Sequence, residues 1–414
     1  MAGPLKRLGN GLHLLGPGIA VAATGVGAGD LISGTAAGAQ FGTTLLWAAA
    51  FSALLKYALN EGIARWQLAT GTTILEGWCA HLGRPFQYYF LVYLVGWSFM
   101  VGGGLISACG IAGHTMFPQL SVSTWAILHS LAGAALVLWG RYAFFEQAMK
   151  VLIALMFLSF IISAWVLRPE WPVLLEGLLL FQVPTGSAKS ILSVIGGVGG
   201  SLTMLCYGYW IRESGRSGAG WMRPTRIDLG VAYGLTGFFG VAVMLLSAQM
   251  HPEMAKGSQI VVGLAGRLEE AMGPAGRWAM YLGFWGAVAS SLLGVWQGIP
   301  YLFADFAGLF KGLGPQERAA IVQPGSRYYR AFLAFITLAP LSLLLFDKPV
   351  GIVVAYTVVG ALFMPFLAGA LLYMNTRRTW VGELRNGWLS MTLLILALLV
   401  FAYLSFNGVV EGAG

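Results

Sequence analysis

The chain has 414 residues, of which 57% are hydrophobic and only 10% are charged, and its formal net charge is +8. An ordinary soluble domain is roughly 45–50% apolar and about 25% charged, so this composition argues against a water-soluble enzyme and indicates an integral membrane protein. The apolar runs are longer than the ~10-residue alternating segments of a membrane β-barrel, so the predicted fold class is all-α. The basic residues follow the loops, and no nucleic-acid partner is predicted.

Apolar runs between polar segments predict about 11 transmembrane helices, here called spans 1 to 11 in chain order. The connections between them are too short to hold a second folded core, so residues 1–414 are predicted to form a single membrane domain. The spans cover approximately residues 14–40, 43–66, 86–113, 123–140, 145–168, 187–211, 228–249, 276–304, 328–346, 350–374 and 387–406.

The loop Lys and Arg residues are distributed unequally between the two sides of the membrane. If the N-terminus is cytoplasmic, sixteen of them lie inside and six lie outside. Cytoplasmic loops usually carry this excess, which predicts a multi-pass protein of the plasma (inner) membrane with its N-terminus inside and its C-terminus outside. Glu61 and Arg65, four residues apart in span 2, are expected to pair on the helix surface near the inner face.

Spans 1 and 6 are each interrupted by glycines. In span 1 the interruption is the segment 25–29, and in span 6 four glycines between residues 196 and 200 precede Ser201. The interruptions are about 170 residues apart, which predicts two five-helix repeats of opposite topology, about 14–168 and 187–374, with an extra helix at about 387–406. In such transporters the substrate binds at the broken helices. The alternative is that the glycines only allow close helix packing.

Asp30 is the only acidic residue near the middle of any span. A charge at that depth costs ~2.5–3.5 kcal/mol on insertion scales, so such a residue is usually functional or paired. A carboxylate is a hard ligand for Mg²⁺ or Mn²⁺, and unwound carbonyls from about Thr24 to Gly27 would extend the oxygen shell. The alternative role for Asp30 is to cap the second half-helix, and the two roles are compatible.

Span 6 and span 2 contribute further candidates. Met204 and Cys206 carry sulfur ligands that favour softer transition metals, although both residue types also serve as apolar packing in membrane helices. Tyr207 is a candidate for the lining of a pathway. Lys56, near the middle of span 2, either snorkels toward the inner face, compensates Asp30 or repels a metal ion.

Several segments, mostly within residues 16–71, resemble the opening of the Nramp (natural resistance-associated macrophage protein) divalent-metal transporters. The resemblance implies a LeuT-type 5+5 inverted repeat with broken helices 1 and 6, and it implies a divalent metal cation as substrate. The segments are Gly16-Pro17-Gly18, Ala37-Gly38-Ala39-Gln40-Phe41-Gly42, Thr44-Leu45-Leu46-Trp47 and Ala69-Thr70-Gly71.

The motifs that bind metal in this family are altered. The family's Asp-Pro-Gly-Asn falls on residues 27–30, so Gly27 stands in place of the metal-binding Asp and Asp30 stands in place of the Asn. The family's Met-Pro-His falls on residues 204–206, which keeps the Met204 thioether and loses the His. Ser201 then occupies the position whose carbonyl faces the metal. The resemblance thus implies Asp30, Gly27, Ser201, Met204 and Cys206 as the binding set, with Asp30 and Met204 as metal ligands.

Three further residues resemble coupling positions of LeuT-type carriers. Lys150, near the inner end of span 5, resembles a lysine that replaces a sodium ion, with snorkelling as the alternative. Ser290 and Ser291 in span 8 resemble hydroxyls that complete such a sodium site, with helix–helix hydrogen bonding as the alternative. Span 3 contains no Asp or Glu and span 6 no His, the residues associated with proton coupling in the Nramp family. Transport is therefore either uncoupled or coupled through titration of Asp30 itself.

Three functions remain open at this stage. The first is a secondary transporter or facilitator for divalent cations of the Mn²⁺, Fe²⁺ and Mg²⁺ class, working by alternating access. The second is a carrier for a small organic solute such as an amino acid, whose carboxylate would meet the free amides of the span 1 break. The third is a non-transporting receptor or assembly subunit.

Other classes of partner and activity are not predicted. No Walker A sequence, paired catalytic carboxylates or Ser-His-Asp set is present, so the chain is predicted not to be an enzyme. No permanently bound cofactor is expected. The expected partners are membrane lipids and the transported ion or solute, and the expected assembly is a monomer or a weak homo-oligomer.

Overall fold

The computed structural model describes residues 26–139, 151, 154–155, 157–162, 170–250 and 259–413, without the side chains of 405 and 407–413. Lys150, most of predicted span 5 and the part of span 1 before Val26 lie outside these ranges.

Within the described ranges the regular structure is helical. The α-helices are α1 (Gly34–Phe41), α2 (Leu46–Thr70), α3 (Ile74–His81), α4 (Gly83–Met116), α5 (Val122–Leu138), α6 (Trp171–Leu179), α7 (Ala188–Gly197), α8 (Cys206–Glu213), α9 (Met222–Ser247), α10 (Gln259–Met272), α11 (Pro274–Phe310), α12 (Pro315–Ile321), α13 (Arg327–Leu338), α14 (Pro349–Ala361), α15 (Met364–Asn375), α16 (Arg378–Val381) and α17 (Trp388–Ala413).

Most predicted spans coincide with these helices or with pairs of them. Six helical segments in the described ranges are long and apolar enough to cross a membrane, and a seventh is reached if a pair bent by 119° counts as one span. The number of eleven spans stays a prediction. α2, which corresponds to span 2, is not among the six because it carries buried polar residues, including Lys56, Asn60, Glu61 and Arg65.

The predicted interruption of span 6 is present as an irregular segment between two half-helices. α7 ends at Gly197, a 3₁₀ turn follows at Leu202–Leu205, and α8 begins at Cys206. Gly199 and Gly200 adopt φ values of +78° and +76°, in the left-handed region that favours glycine. These two residues reverse the chain direction locally and expose carbonyls at the end of α7.

The described part of span 1 begins with a bend at Val26 and Gly27. A π-helical turn, Gly29–Ser33, then leads into α1. This turn crosses α7 at a contact between two glycines: a Cβ built on Gly29 would lie 3.0 Å from the Gly197 Cα, and one built on Gly197 would lie 2.9 Å from the Gly29 carbonyl oxygen. Backbone therefore packs on backbone where the two interrupted spans meet.

The Glu61–Arg65 pair predicted on the surface of span 2 is formed but buried. An Arg65 Nη2 to Glu61 Oε1 distance of 2.5 Å joins them, and their side chains are 3% and 4% exposed. Arg226 of α9 adds a contact of 2.9 Å to Glu61, and Arg65 donates to the carbonyl of Leu384 at 2.7 Å. The pair is buried because these partners from later elements cover it. It thereby ties α2 to α9 and to the segment before α17.

We expect Gly197→Ala to lower the stability of the protein by about 1–3 kcal/mol, because the new methyl group meets backbone atoms of Gly29 that have no rotamer with which to move aside. Thermal unfolding of the purified protein in detergent measures this loss. Gly234→Ala in α9 is the matched control, because a Cβ there meets no atom within 4 Å. The control variant should be unchanged or more stable by about 0.5–1 kcal/mol. Equal melting temperatures for the two variants would show that the glycine crossing does not constrain the fold.

Candidate functional site

A small cavity of about 40 Å³ lies between the two interrupted spans. One water molecule needs about 10–15 Å³ of such a cavity, so this volume is large enough for an ion with a few waters. Spans 1, 3, 6, 8 and 10 all contribute to its wall. The lining residues are Gly27, Ala28, Gly29, Trp97, Val101, Leu105, Gly196, Gly197, Gly200, Ser201, Thr203, Ser291, Val295 and Tyr356.

Asp30 follows the lining residue Gly29 in the π-helical turn, is 1% exposed and is not itself among the residues that line the cavity. Its Oδ2 accepts a hydrogen bond of 3.0 Å from the Gly27 amide, so it caps the start of the half-helix as the alternative role required. Its Oδ1 is buried and has no hydrogen-bond partner among the described residues. A buried carboxylate oxygen without a partner is costly, so this atom is available to a cationic ligand.

Gly27 packs against Ser291 of α11 at the cavity wall. A Cβ at position 27 would collide with the Ser291 hydroxyl group, so an aspartate does not fit there without displacement of the serine. The Gly27 carbonyl accepts the Leu31 amide at 3.2 Å, which places it within the helical hydrogen-bonding pattern. The Ser291 hydroxyl is 3.5 Å from the carbonyl of Val26, so Val26 carries the carbonyl nearest to span 8.

Ser201 lines the cavity from the span 6 interruption. Its hydroxyl accepts a hydrogen bond of 3.0 Å from the Trp97 indole in α4, and its carbonyl accepts the Met204 amide at 3.1 Å. A carbonyl has two lone pairs, so Ser201 retains one acceptor position. Met204 is 2% exposed and packs in the apolar core, and it is not among the residues that line the cavity.

Lys56 reaches the interruption of span 6 from α2 and is completely buried. Its Nζ donates to the carbonyl oxygen of Gly196 at 2.9 Å and also to the carbonyls of Val198 and Gly200. The side chain therefore does not snorkel toward the inner face. Lys56 and Asp30 are near enough for their charges to attract each other, which corresponds to the compensating role considered for this lysine.

A second cavity of about 170 Å³ lies between α8 and α11. It shares Thr203, Ser291 and Val295 with the central cavity, so the two cavities are adjacent along one wall. Cys206 lines this second cavity together with Glu213. The two cavities indicate a route from the interrupted spans toward the loop that follows α8.

Two other candidate residues point away from this route. Tyr207 is fully buried and its hydroxyl donates to Asp228 Oδ2 at 3.3 Å, in a cluster that also contains Arg216. Ser290 donates to the carbonyl of Ala287 in its own helix at 3.0 Å and lines neither cavity. Lys150 lies outside the described residues.

An ionic cluster lies next to the second cavity and is joined to it through the lining residue Tyr209. Arg318 Nη2 is 2.6 Å from Glu76 Oε1, and Arg318 Nη1 is 3.4 Å from Asp305 Oδ1. Tyr209 donates to Asp305 at 2.7 Å, and Arg212 is 3.6 Å from Glu76. The cluster joins α3, α8, α11 and α12.

Sequence reasoning did not single out Trp97, Thr203 and Tyr356 as parts of the site. Tyr356 lines the cavity beside Gly29, and its hydroxyl would be 2.9 Å from a Cβ at that glycine. Aromatic residues make up 13% of this chain, so their presence in a span carries little information. Thr203 lies in the sequence between the candidate residues Ser201 and Met204, and only this position could have indicated that it belongs to the site.

Within the part of the chain that the structure describes, no three His, Cys, Asp or Glu side chains come together in a metal-binding group. Among the residues that line the central cavity there is no Asp, Glu, His or Cys, and Asp30 follows the lining residue Gly29. A metal ion at this carboxylate would take its remaining ligands from carbonyls, hydroxyls, waters or the Met204 thioether.

Comparison with known proteins gives one family and a set of relatives. The family model described as natural resistance-associated macrophage protein-like matches residues 18–411. A divalent metal cation transporter MntH of Aeromonas hydrophila is 24% identical over 256 residues, which cover 57% of this chain and 59% of that protein. The MntH of Chromohalobacter salexigens is 30% identical over 178 residues, which cover 42% of this chain and 40% of that protein. The matched segments therefore span less than two thirds of the length of these two relatives.

Solved structures show the same fold. A variant of the Eremococcus coleocola manganese transporter superposes with a TM-score of 0.74 at 15% identity, and the match covers 99% of this chain and 88% of that one. The same transporter in complex with an aromatic bis-isothiourea substituted compound superposes with a TM-score of 0.72, over 98% and 87% of the two chains. The predicted all-α, LeuT-type fold is thereby confirmed.

We expect Glu76→Gln to destabilise the protein by about 1–3 kcal/mol, because Arg212 loses the charge of its carboxylate partner and Arg318 keeps only its longer contact of 3.4 Å to Asp305. Burial raises the pKa of Glu76, but hydrogen bonds from the Thr73 amide and Arg318 and the charges of Arg318 and Arg212 outweigh it, so the net pKa is lowered from 4.5. A lowered pKa contributes stability above pH 4.5 that is lost as the pH falls through the folded-state value. Thermal unfolding at pH 7 and at successively lower pH measures both effects.

Glu270→Gln is the matched control for this variant. Glu270 pairs with Arg267 at 2.5 Å, but its side chain is 61% exposed, and exposed pairs contribute only about 0–1 kcal/mol. If both variants lose equal stability at pH 7, the Glu76 cluster is an ordinary surface pair.

Proposed function

This chain belongs to the Nramp family, and we propose that it carries divalent metal cations of the Mn²⁺, Fe²⁺ and Mg²⁺ class across the membrane by alternating access. One observation carries the proposal: the buried Asp30 directly follows Gly29 of the cavity wall, and one of its carboxylate oxygens makes no hydrogen bond among the described residues. A carboxylate oxygen in such a position offers the negative charge and the hard donor atom that these ions require.

The proposed metal ligands are the residues of this chain that stand at the metal-binding positions of the family. Asp30 supplies the charge, and the carbonyls of Gly27 and Ser201 supply their second lone pairs. Met204 supplies a thioether if it turns toward the cavity when the metal binds, and Cys206 lines the route by which the ion leaves. Ser291 takes the space of the missing family aspartate, so the one negative charge of the motif lies at position 30 instead of position 27.

Transport without proton coupling through span 3 is the simplest mechanism for this chain. α4, which contains span 3, has no Asp or Glu, and α7 and α8 have no His. We propose facilitated movement down the electrochemical gradient of the metal. Alternating access would require the cluster of Glu76, Arg318 and Asp305 to open at the loop end of the second cavity.

The cellular setting follows the charge distribution of the loops. We propose a multi-pass protein of the plasma (inner) membrane with its N-terminus cytoplasmic and its C-terminus outside, in one membrane domain over residues 1–414. Lipids and the metal substrate are the proposed partners, no permanent cofactor or enzymatic activity is proposed, and the proposed assembly is a monomer or weak homo-oligomer.

The volume of the central cavity favours an ion over an organic solute. Sites for small organic molecules usually enclose about 300–1,000 Å³, whereas the cavity between the interrupted spans encloses about 40 Å³. A metal ion with a few waters fits this space. An amino-acid carrier would need a substantial opening of α4 or α14 away from the cavity.

We expect Asp30→Asn to abolish Mn²⁺ uptake by proteoliposomes while leaving the protein folded. The amide oxygen of Asn still accepts the Gly27 hydrogen bond, but the charge that binds the metal is gone. Asp347→Asn is the matched control, because Asp347 is exposed in a loop with φ of +49°, a conformation that Asn tolerates. Normal uptake by Asp30→Asn would contradict the site, and amino-acid uptake by the wild type without metal uptake would support the organic-solute carrier.

We expect Met204→Ala to weaken binding of Mn²⁺ and Cd²⁺ by more than it weakens binding of Mg²⁺, because a thioether prefers softer metals. Calorimetric titration of the purified variant with each ion measures the difference. Cys109→Ala is a suitable control, since Cys109 is a buried sulfur residue of α4 that lines neither cavity. An equal loss for all three ions would mean that Met204 acts only by packing.

A further inference from the structure

We infer that the interruption of span 6 is a carbonyl cation site whose resident cation is the ammonium group of Lys56. The Nζ atom donates to the carbonyl oxygens of Gly196, Val198 and Gly200, three acceptors at alternate positions along one segment. A lysine ammonium has three donors, and each of them has one of these acceptors. The site therefore holds a cation that is covalently part of the chain and needs no free monovalent ion.

The location of these carbonyls explains why they attract a cation. They belong to the last residues of α7 and to the irregular segment after it, where carbonyl groups lose their helical partners. The C-terminal end of a helix also carries a partial negative charge. In membrane transporters, unwound carbonyls and half-helix C-termini of this kind coordinate Na⁺.

The backbone conformation is suited to this arrangement. Gly199 and Gly200 have positive φ values, which brings the carbonyls of Val198 and Gly200 to the same side as the Gly196 carbonyl at the end of α7. A Cβ on Gly199 would lie 3.5 Å from the Lys56 Cδ, so the lysine stem packs directly against the turn. The stem thus fills the approach to the carbonyls from the side of α2.

The surroundings of Lys56 are those of a buried charge and not those of a lysine at the protein surface. Lys56 is 0% exposed, and burying an unpaired charge is strongly unfavourable, so the three carbonyls and the nearby Asp30 must compensate it. Asp30 and Lys56 carry opposite formal charges, so the pair is neutral before any substrate enters. A divalent cation at Asp30, which rests on the proposed function, then needs no monovalent co-ion to balance the span 6 carbonyls.

The experiment compares thermal stability in NaCl, KCl, ethylammonium chloride and choline chloride at equal ionic strength. The wild type should melt at the same temperature in all four salts. Lys56→Ala should melt lower in choline, which has no N–H donors, and should recover as the concentration of Na⁺, K⁺ or ethylammonium rises. A ligand that binds only the folded state raises the melting temperature in this concentration-dependent way.

Lys189→Ala is the matched control, because Lys189 is an exposed lysine on α7 itself. It should show no dependence on the cation at any concentration. A Lys56→Ala protein that folds but responds equally to all four salts would overturn the inference. The readout involves no divalent metal, so its failure and a failure of Mn²⁺ transport are distinguishable.

A second measurement covers the case in which Lys56→Ala does not fold. Wild-type proteoliposomes should take up Mn²⁺ at the same rate in Na⁺, K⁺ or choline. Lys56→Arg keeps the positive charge, so this variant should fold, and its stability should not depend on which cation is present. A wild type whose stability or uptake requires Na⁺ or K⁺ would overturn the inference, because the lysine would then not be occupying the site.

Discussion

The absence of water from the core of a bilayer requires every backbone polar group there to find a partner within the protein. Two interrupted spans at that depth violate this requirement unless side chains supply the missing partners. Asp30 accepts a hydrogen bond from the Gly27 amide at the bend of span 1, and Lys56 donates to the carbonyls at the end of α7. The hydrogen bonds of Lys56 join span 2 to the interruption of span 6, and the opposite charges of Asp30 and Lys56 attract each other.

The geometry of the site follows from the close approach of these interruptions. Gly29 and Gly197 bring backbone against backbone, which leaves a space of about 40 Å³ rather than a solute-sized pocket. Ser291 occupies the room that an aspartate at position 27 would need, so the departure from the family motif is accommodated by packing with span 8. At the proposed site the nearby Lys56 ammonium group weakens the attraction of the Asp30 carboxylate for a divalent ion, compared with the same carboxylate alone.

The second cavity lies next to an ionic cluster. Thr203 and Ser291 line both cavities, and the cluster around Glu76 and Asp305 joins four helices. The side chains of Arg318, Glu76 and Asp305 are only 14%, 14% and 6% exposed. Breaking a mostly buried pair leaves uncompensated charges, so these four helices can separate only if water replaces the lost partners.

The sequence alone determined the membrane class, most helix positions and the interruption of span 6, because hydropathy and glycine clusters are local signals. Tertiary structure decided the rest. It buried the Glu61–Arg65 pair under Arg226, directed Lys56 to the span 6 carbonyls and turned Tyr207 toward Asp228, and it placed Trp97 and Tyr356 at the cavity. These outcomes depend on which helix faces lie opposite one another, and helical periodicity carries no such signal in spans that are apolar on every side.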